Sequence, residues 1–176
     1  MQSHMSTVEQ NRAAYECFCH EVLRRGNVDA IDDFVDPSVV SHSPFPGQAP
    51  GREGFKAAFA QFRAAFPNLE IFIRDIVAGG DKVVGYFTVT GVNSGEFMGI
   101  AATGKLVTYD EMLIVRFANG KIAEHWSVAD TLAMMLALGA VTQASAGQQA
   151  HPEFCTPQVG RVTDNEEHLL LGHGLA

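Results

Sequence analysis

The chain has 176 residues, a formal net charge of −8 and an isoelectric point near 5.2. This length suits one domain with a sizeable core, and the negative charge argues against nucleic acid as a partner because phosphate binding requires a basic surface. No apolar run approaches the roughly 20 residues of a membrane-spanning helix, and the first residues lack the apolar segment of a secretory signal peptide. The three cysteines do not form the pattern of a disulfide framework, so we expect a protein of the reducing cytoplasm with no membrane partner.

Three helices are predicted in the first part of the chain, at 7–25, 28–35 and 52–66. Thr7 and Gln10 have the spacing of a capping box, and the apolar residues that follow recur at helical intervals. The third segment carries four phenylalanines on one side, which form either part of the core or the wall of an apolar ligand cavity. The buried side of the first helix is predicted to be Val8, Tyr15, Phe18, Cys19, Val22 and Leu23, and the four phenylalanines are Phe55, Phe59, Phe62 and Phe66.

The following part of the chain predicts four sequence-adjacent strands. Asn119-Gly120 is the strongest hairpin signal among their turns, because both residues accept a positive φ. Long neighbouring strands with tight turns predict an antiparallel sheet. Because the helices come first and the strands later, we expect an α+β protein with the helices on one face of the sheet. The predicted strands are 69–77, 83–90, 106–117 and 121–128.

Alternation within the strand 106–117 predicts which of its side chains face inward. The more apolar face also carries Glu111 and Tyr109. A carboxylate in that position would need a partner or would hold its proton; alternatively, Glu111 lies at the rim, solvated or paired with Arg116 or Lys105. The predicted inward set is Val107, Tyr109, Glu111, Leu113, Val115 and Phe117, with Val83, Gly85, Phe87 and Val89 on the preceding strand.

Asp130 lies at the corner between the last strand and a final helix over 132–138. Helix capping alone explains an aspartate at this position. A carboxylate beside Trp126 and His125 is also the best candidate for chemistry in the sequence. Strict alternation allows only one of these two aromatic residues to face inward, and we expect it to be Trp126.

Two loop residues have two interpretations each, and the end of the chain has little pattern. His42, in the proline-rich and glycine-rich loop 41–51, either moves a proton or is bonded to the backbone. Asn93 is either a turn residue or an amide donor at a pocket mouth. We expect 140–176 to be an extension that is partly flexible or docked on a partner subunit. Its histidines, His151, His168 and His173, are too far apart in sequence to predict a metal site.

Four motifs in order resemble the SnoaL-like polyketide cyclases over roughly residues 8–139. The resemblance implies a cone-shaped α+β barrel over 6–139, in which a curved, mainly antiparallel sheet is wrapped by N-terminal helices around an apolar cavity. It also implies a homodimer and no cofactor. The motifs are Pro-Gly-x-x-Pro-Gly-Arg-Glu-Gly (46–54), Phe-Arg-Ala-Ala-Phe-Pro (62–67), Gly-x-x-x-Gly-Glu-Phe-x-Gly-Ile (91–100) and Arg-Phe-x-Asn-Gly-Lys-Ile-x-Glu-His-Trp-x-x-x-Asp (116–130).

The activity that this resemblance implies is closure of a carbon–carbon ring in a hydrophobic, polyketide-like small molecule, after removal of a proton next to a carbonyl. In the family, the aspartate that ends the Trp-x-x-x-Asp motif is the general base, which corresponds to Asp130. Burial beside Trp126 would raise its pKa, and His42, His125 or Asn93 would donate a hydrogen bond to the enolate oxygen. The chain departs from the family pattern at Leu113, Glu111 and Asn93, where polar residues such as histidine are common.

Two other functions stay open on the sequence. One is epoxide opening by a hydrolase, cyclase or isomerase that uses Glu111 and Asp130 as an acid–base pair; the other is a non-catalytic small-molecule binding or dimerisation module. The predicted catalytic residues are Asp130, His42 and Glu111. The predicted substrate-binding residues are Tyr15, Phe55, Phe59, Phe87, Asn93, Phe97, Met98, Tyr109 and Trp126.

Overall fold

A curved five-stranded sheet forms the centre of the structure, a computed structural model that describes residues 6–142. The order of its strands is β1-β5-β4-β3-β2; β2 to β5 are antiparallel neighbours, whereas β1 pairs parallel with β5. The sheet is therefore mixed but mainly antiparallel, and the predicted α+β class is confirmed. The strands are β1 Val35–Ser41, β2 Glu70–Gly79, β3 Lys82–Val92, β4 Leu106–Ala118 and β5 Lys121–Ala129.

The helices differ from the prediction mainly at their ends. The N-cap of the first helix is Ser6 and not Thr7, because Ser6 and Glu9 form the capping box: the Glu9 backbone N–H donates to Ser6 Oγ, and the Ser6 N–H donates to Glu9 Oε2 at 2.7 Å. The predicted helix 28–35 is shorter, because Val35 already has an extended backbone and opens β1. The helices are α1 Thr7–Phe18, continued by a π-helical segment Cys19–Arg24, α2 Ile31–Phe34, α3 Gly51–Ala65 and α4 Thr131–Leu138.

The turns and the alternation of β3 and β4 follow the sequence closely. Asn119 and Gly120 both have positive φ, 51° and 73°, which confirms the predicted hairpin. Every apolar residue that was predicted to face inward on β3 and β4 is buried. On β2, the pairing with β3 gains an extra residue at Arg74, so Ile76 pairs with the inward Gly85 and is buried.

The core lies between the inner face of the sheet and the helices. Tyr15 of α1 is fully buried in it, and a Cβ added at Gly85 would collide with the Phe87 ring and with the Tyr15 hydroxyl. The final described helix, α4, packs against β4 through its buried residues Met134 and Leu138. Lys105 Nζ donates a hydrogen bond to the Leu138 carbonyl at 3.2 Å and so stabilises the C-terminal end of α4.

The end of the chain is only partly described. The expected extension 140–176, including His151, His168 and His173, lies almost entirely outside the described residues, so the boundary near residue 139 stays a prediction. Within 6–142, no helix combines the length and the apolar character that a membrane crossing requires.

Candidate functional site

A cavity of about 140 Å³ lies between α3 and the inner face of the sheet. Its wall is largely apolar, because phenylalanines of α3 and inward residues of β3, β4 and β5 converge on it. Five residues predicted to bind substrate line this cavity. They are Phe55, Phe59, Phe87, Phe97 and Tyr109.

Glu111 is a carboxylic acid in this cavity, held on the inner face of β4. Its neighbours across the sheet are Phe87 on β3 and Ala129 on β5. Burial raises the pKa of Glu111, and a hydrogen bond from the Ser127 hydroxyl to Oε1, 2.6 Å long, partly opposes that rise. The predicted inward direction is therefore correct. The rim alternative is not observed.

His125 is the second titratable group of the cavity. Its ring meets the ring of Phe55 edge-on, with centroids 5.2 Å apart, and its Nδ1 lies 3.4 Å from Ser41 Oγ. Burial lowers the pKa of His125 to about 4, with a further contribution from His42. The imidazole is therefore neutral at pH 7 and has one N–H donor.

The expectation that Trp126 faces inward is wrong, and a bulge explains the error. β4 pairs Phe117 with Ile122 but Arg116 with Glu124, so Ala123 is an extra residue in β5. A bulge of this kind reverses the alternation beyond it. As a result His125, Ser127 and Ala129 face the cavity, although alternation from the buried Ile122 predicts the opposite set.

His42 and Trp126 meet on the outer face of the sheet and do not line the cavity. Their rings stack with centroids 4.4 Å apart, and Lys82 Nζ lies 5.6 Å from the centre of the Trp126 ring. His42 Nε2 is 2.8 Å from Glu124 Oε2, and its backbone N–H donates to the His125 carbonyl at 2.8 Å. His42 thus anchors the loop 41–51 to β5, away from the predicted site.

Asp130 is exposed and does not line the cavity, so the expected burial in an apolar hollow is wrong. Its Oδ1 accepts a hydrogen bond from the Ala133 backbone N–H at 2.9 Å, which is the N-cap of α4. Capping directs the carboxylate toward the free N–H groups of the helix and away from the interior of the sheet. The buried Glu111–Asp130 pair that epoxide opening would need is therefore not formed.

Three further predicted substrate residues have other positions. Asn93 is fully buried, and its side-chain amide forms hydrogen bonds within its own loop. Its Nδ2 donates to the Gly95 carbonyl, and its Oδ1 accepts from the backbone N–H and the hydroxyl of Thr103. The turn interpretation of Asn93 therefore fits. Met98 is exposed and lines a groove outside the cavity, and Tyr15 belongs to the core.

Several cavity residues were not predicted. Ser127 faces inward because of the bulge, which residue type and spacing do not reveal; His125 was considered as a hydrogen-bond donor but was expected to face outward. Ser43, Phe45 and Gln48 come from the loop 41–51, which approaches the cavity because Ser43 Oγ accepts a hydrogen bond from the Ser127 backbone N–H at 3.2 Å. Among residues 6–142, no three His, Cys, Asp or Glu side chains lie together in a way that could hold a metal ion.

Comparisons with known proteins agree on one family. The model of the SnoaL-like polyketide cyclase family matches residues 13–138. Aklanonic acid methyl ester cyclase DauD of Streptomyces sp. (strain C5) is 26% identical over 151 residues, which cover 82% of this chain and 91% of DauD. DnrD of Streptomyces peucetius, a cyclase of the same description, is 26% identical over 126 residues, 68% of this chain and 84% of DnrD. The structure of TsrD from Streptomyces laurentii superposes with a TM-score of 0.69 at 26% identity, over 78% of this chain and 100% of TsrD.

Proposed function

We propose that this chain, which belongs to the family of SnoaL-like polyketide cyclases, closes a carbon–carbon ring with Glu111 as the group that moves the proton. The family and its cyclase relatives support a polyketide cyclase. The observation that carries the choice of residue is the partly buried carboxyl group of Glu111 in the apolar cavity, which has a raised pKa and accepts a hydrogen bond from the Ser127 hydroxyl on one oxygen.

Glu111 suits the role of general base for two reasons. Its raised pKa makes the carboxylate a stronger base than an exposed glutamate, and carbon acids demand such strength. The Ser127 hydroxyl occupies Oε1, and in the described part of the chain no protein donor is bonded to Oε2. That second oxygen is available to take the proton.

Two neutral donors in the same cavity suit the oxygen on which charge develops. His125 is uncharged at pH 7 because burial lowers its pKa to about 4, so it can donate without adding a fixed charge. Burial also raises the pKa of Tyr109, with a contribution from Glu111, so its phenol keeps its proton. Donors of this kind stabilise an enolate most strongly where water is excluded.

The proposed reaction balances within one substrate molecule. The Glu111 carboxylate removes a proton from a carbon next to a carbonyl, and the enolate carbon then attacks a second carbonyl carbon of the same molecule. The alkoxide that forms takes the proton back from Glu111. The result is an isomerisation with no net oxidation, so this aldol-type closure requires no redox cofactor.

The experiment is ring closure of aklanonic acid methyl ester, the compound in the names of the two Streptomyces relatives. Glu111→Gln should lower kcat by about 10²- to 10⁴-fold, the usual contribution of a general base. Asp130→Asn is the matched control, because asparagine also caps a helix; it should stay within a few-fold of the wild type. A folded Glu111→Gln variant with normal turnover, or the loss of turnover in a folded Asp130→Asn variant, would reject the assignment.

The proposal includes a homodimer in the cytoplasm, as the family resemblance implies. Met112 and Val128 are neighbours across β4 and β5 on the outer face, and both are at least half exposed. Such an apolar pair would be covered if two copies joined through this face. Sedimentation of the wild type and of Val128→Lys should give a dimer and a monomer, respectively; a monomeric wild type would contradict the assembly.

A further inference from the structure

Three aromatic side chains separate the cavity from a second space. We call Phe45, Phe62 and Phe97 the aromatic wall. Their ring centroids lie 5.7 to 6.2 Å from one another. All three line both the cavity and an outer groove of about 460 Å³ between α3 and the loop 93–105, so the two spaces share this wall.

The cavity alone is too small for a multi-ring substrate. It measures about 140 Å³, and an apolar protein cavity of roughly 150 Å³ accommodates one benzene molecule. Pockets that enclose a drug-sized ligand measure about 300–1,000 Å³. A polyketide with several fused rings can therefore insert one ring beside Glu111, and the remaining rings need space elsewhere. The outer groove supplies that space directly behind the wall.

Phe45 is the member of the wall that can move most easily. Phe62 and Phe97 are 9% and 6% exposed, and the loop that carries Phe97 is fixed by the bonds of Asn93. Phe45 is 40% exposed and lies on the loop 41–51, two residues before Gly47, whose φ is 79° and whose α-carbon faces open space. Rotation of Phe45 would join the cavity to the groove.

The lining of the two spaces also limits the charge of the ligand. In the described part of the chain, the acidic side chains that line them are Glu111 in the cavity and Glu96 in the groove, and no lysine or arginine lines either space. Two carboxylates disfavour an anionic ligand. Glu96 and Gln61 offer the groove hydrogen-bond acceptors for phenol hydroxyls.

We propose that the outer groove is the second half of the substrate site. One reacting ring enters the cavity at Glu111, and the rest of an uncharged, hydroxylated, multi-ring aromatic ketone passes Phe45 and lies along Gln61, Ala64 and Met98. This inference rests on the proposed function for the class of substrate. It predicts binding, however, and so it can be tested without any turnover.

The test compares a three-ring probe with a one-ring probe by titration calorimetry. The probes are 1,8-dihydroxyanthraquinone, which would reach the groove, and 2-hydroxyacetophenone, which fits the cavity. Ala64 of α3 is exposed and lines the groove, so Ala64→Phe fills it. Ala60 of the same helix is exposed and lines neither space, so Ala60→Phe is the matched control.

Ala64→Phe should weaken anthraquinone binding by about tenfold, equivalent to about 1.4 kcal/mol, and leave the one-ring ketone unchanged. Ala60→Phe should leave both unchanged. Phe45→Ala should accelerate association of the three-ring probe in stopped flow. The proposal is overturned if the wild type does not bind the anthraquinone, if Ala64→Phe binds it normally, or if both probes weaken equally. Glu111→Gln should still bind the anthraquinone. Binding to the groove can therefore be judged separately from the catalytic role of Glu111.

Discussion

Replacement of Ser127 by alanine tests the environment of Glu111 without removing the carboxyl group. The hydroxyl donates to Glu111 Oε1 over 2.6 Å and lowers the pKa of Glu111 against the effect of burial. A hydrogen bond to a charged group contributes about 1.5–3 kcal/mol, and one pKa unit corresponds to about 1.4 kcal/mol. Loss of the hydroxyl should therefore raise the pKa of Glu111 by about 1–2 units, because the charged form loses its donor.

The pH dependence of kcat/KM for ring closure measures this shift. A general base is active above its pKa, so the acid limb of the Ser127→Ala profile should move toward higher pH by about 1–2 units. At pH values above both pKa values the two profiles should converge. A purely structural effect of the substitution would instead lower the whole profile and leave the position of the limb unchanged.

Two variants serve as controls for this measurement. Ser127→Thr retains a hydroxyl and should keep the wild-type limb. Ser94→Ala removes a hydroxyl from an exposed loop position and should also leave the limb unchanged. If the acid limb of a folded Ser127→Ala variant superposes on that of the wild type, Glu111 is not the base that the profile reports.

Three further predictions concern stability. Because the pKa of Glu111 is raised above 4.5, ionisation of Glu111 destabilises the folded wild type at pH 7. Glu111→Gln should therefore have a higher Tm than the wild type at pH 7 and lose this advantage at pH 4. An equal difference in Tm at both pH values would contradict the explanation. Because folding lowers the pKa of His125 from 6.5 to about 4, the free energy of unfolding should decrease by up to about 3 kcal/mol as the pH falls through this range. The dependence of stability on pH should be weaker in His125→Gln. If it is unchanged, other groups and not His125 cause the loss of stability. Gly139 has a φ of 78° and an added Cβ would lie 2.5 Å from Lys105 Nζ, whereas Gly80 has a φ of 59° and open space. Gly139→Ala should therefore cost more in urea unfolding than Gly80→Ala, which carries only the roughly 1–2 kcal/mol of the left-handed conformation; equal costs would show that the Lys105 side chain moves aside without a penalty.

The sequence predicts those features that depend on short-range chemistry. Asn119-Gly120 makes a hairpin because both residues tolerate positive φ. The period of two in β4 directs Glu111 inward together with its apolar neighbours, and nothing interrupts that strand between 106 and 116. The cavity wall on α3 follows from the spacing of its phenylalanines for the same reason.

The errors come from features that depend on pairing between distant segments. The extra residue at Ala123 in β5 is defined only by the register of β4, and it exchanges the directions of His125 and Trp126. Asp130 sits at a corner where the same carboxylate can cap a helix or face a cavity, and only the path of α4 decides between them. The residue types and their spacing would be the same for either direction of His125 and Trp126 and for either role of Asp130, so the sequence alone cannot distinguish these alternatives.

The parallel contact between β1 and β5 has a consequence for how the protein acquires its site. Ser41 pairs with His125, and the loop that follows Ser41 supplies Phe45 and Gln48 to the entrance of the cavity. Segments about 80 positions apart must therefore meet before the entrance exists, and contacts so distant in sequence are slow to form. A nascent chain that has not yet emerged beyond β5 has an unfinished pocket, and ligand binding can begin only when nearly the whole domain is available to fold.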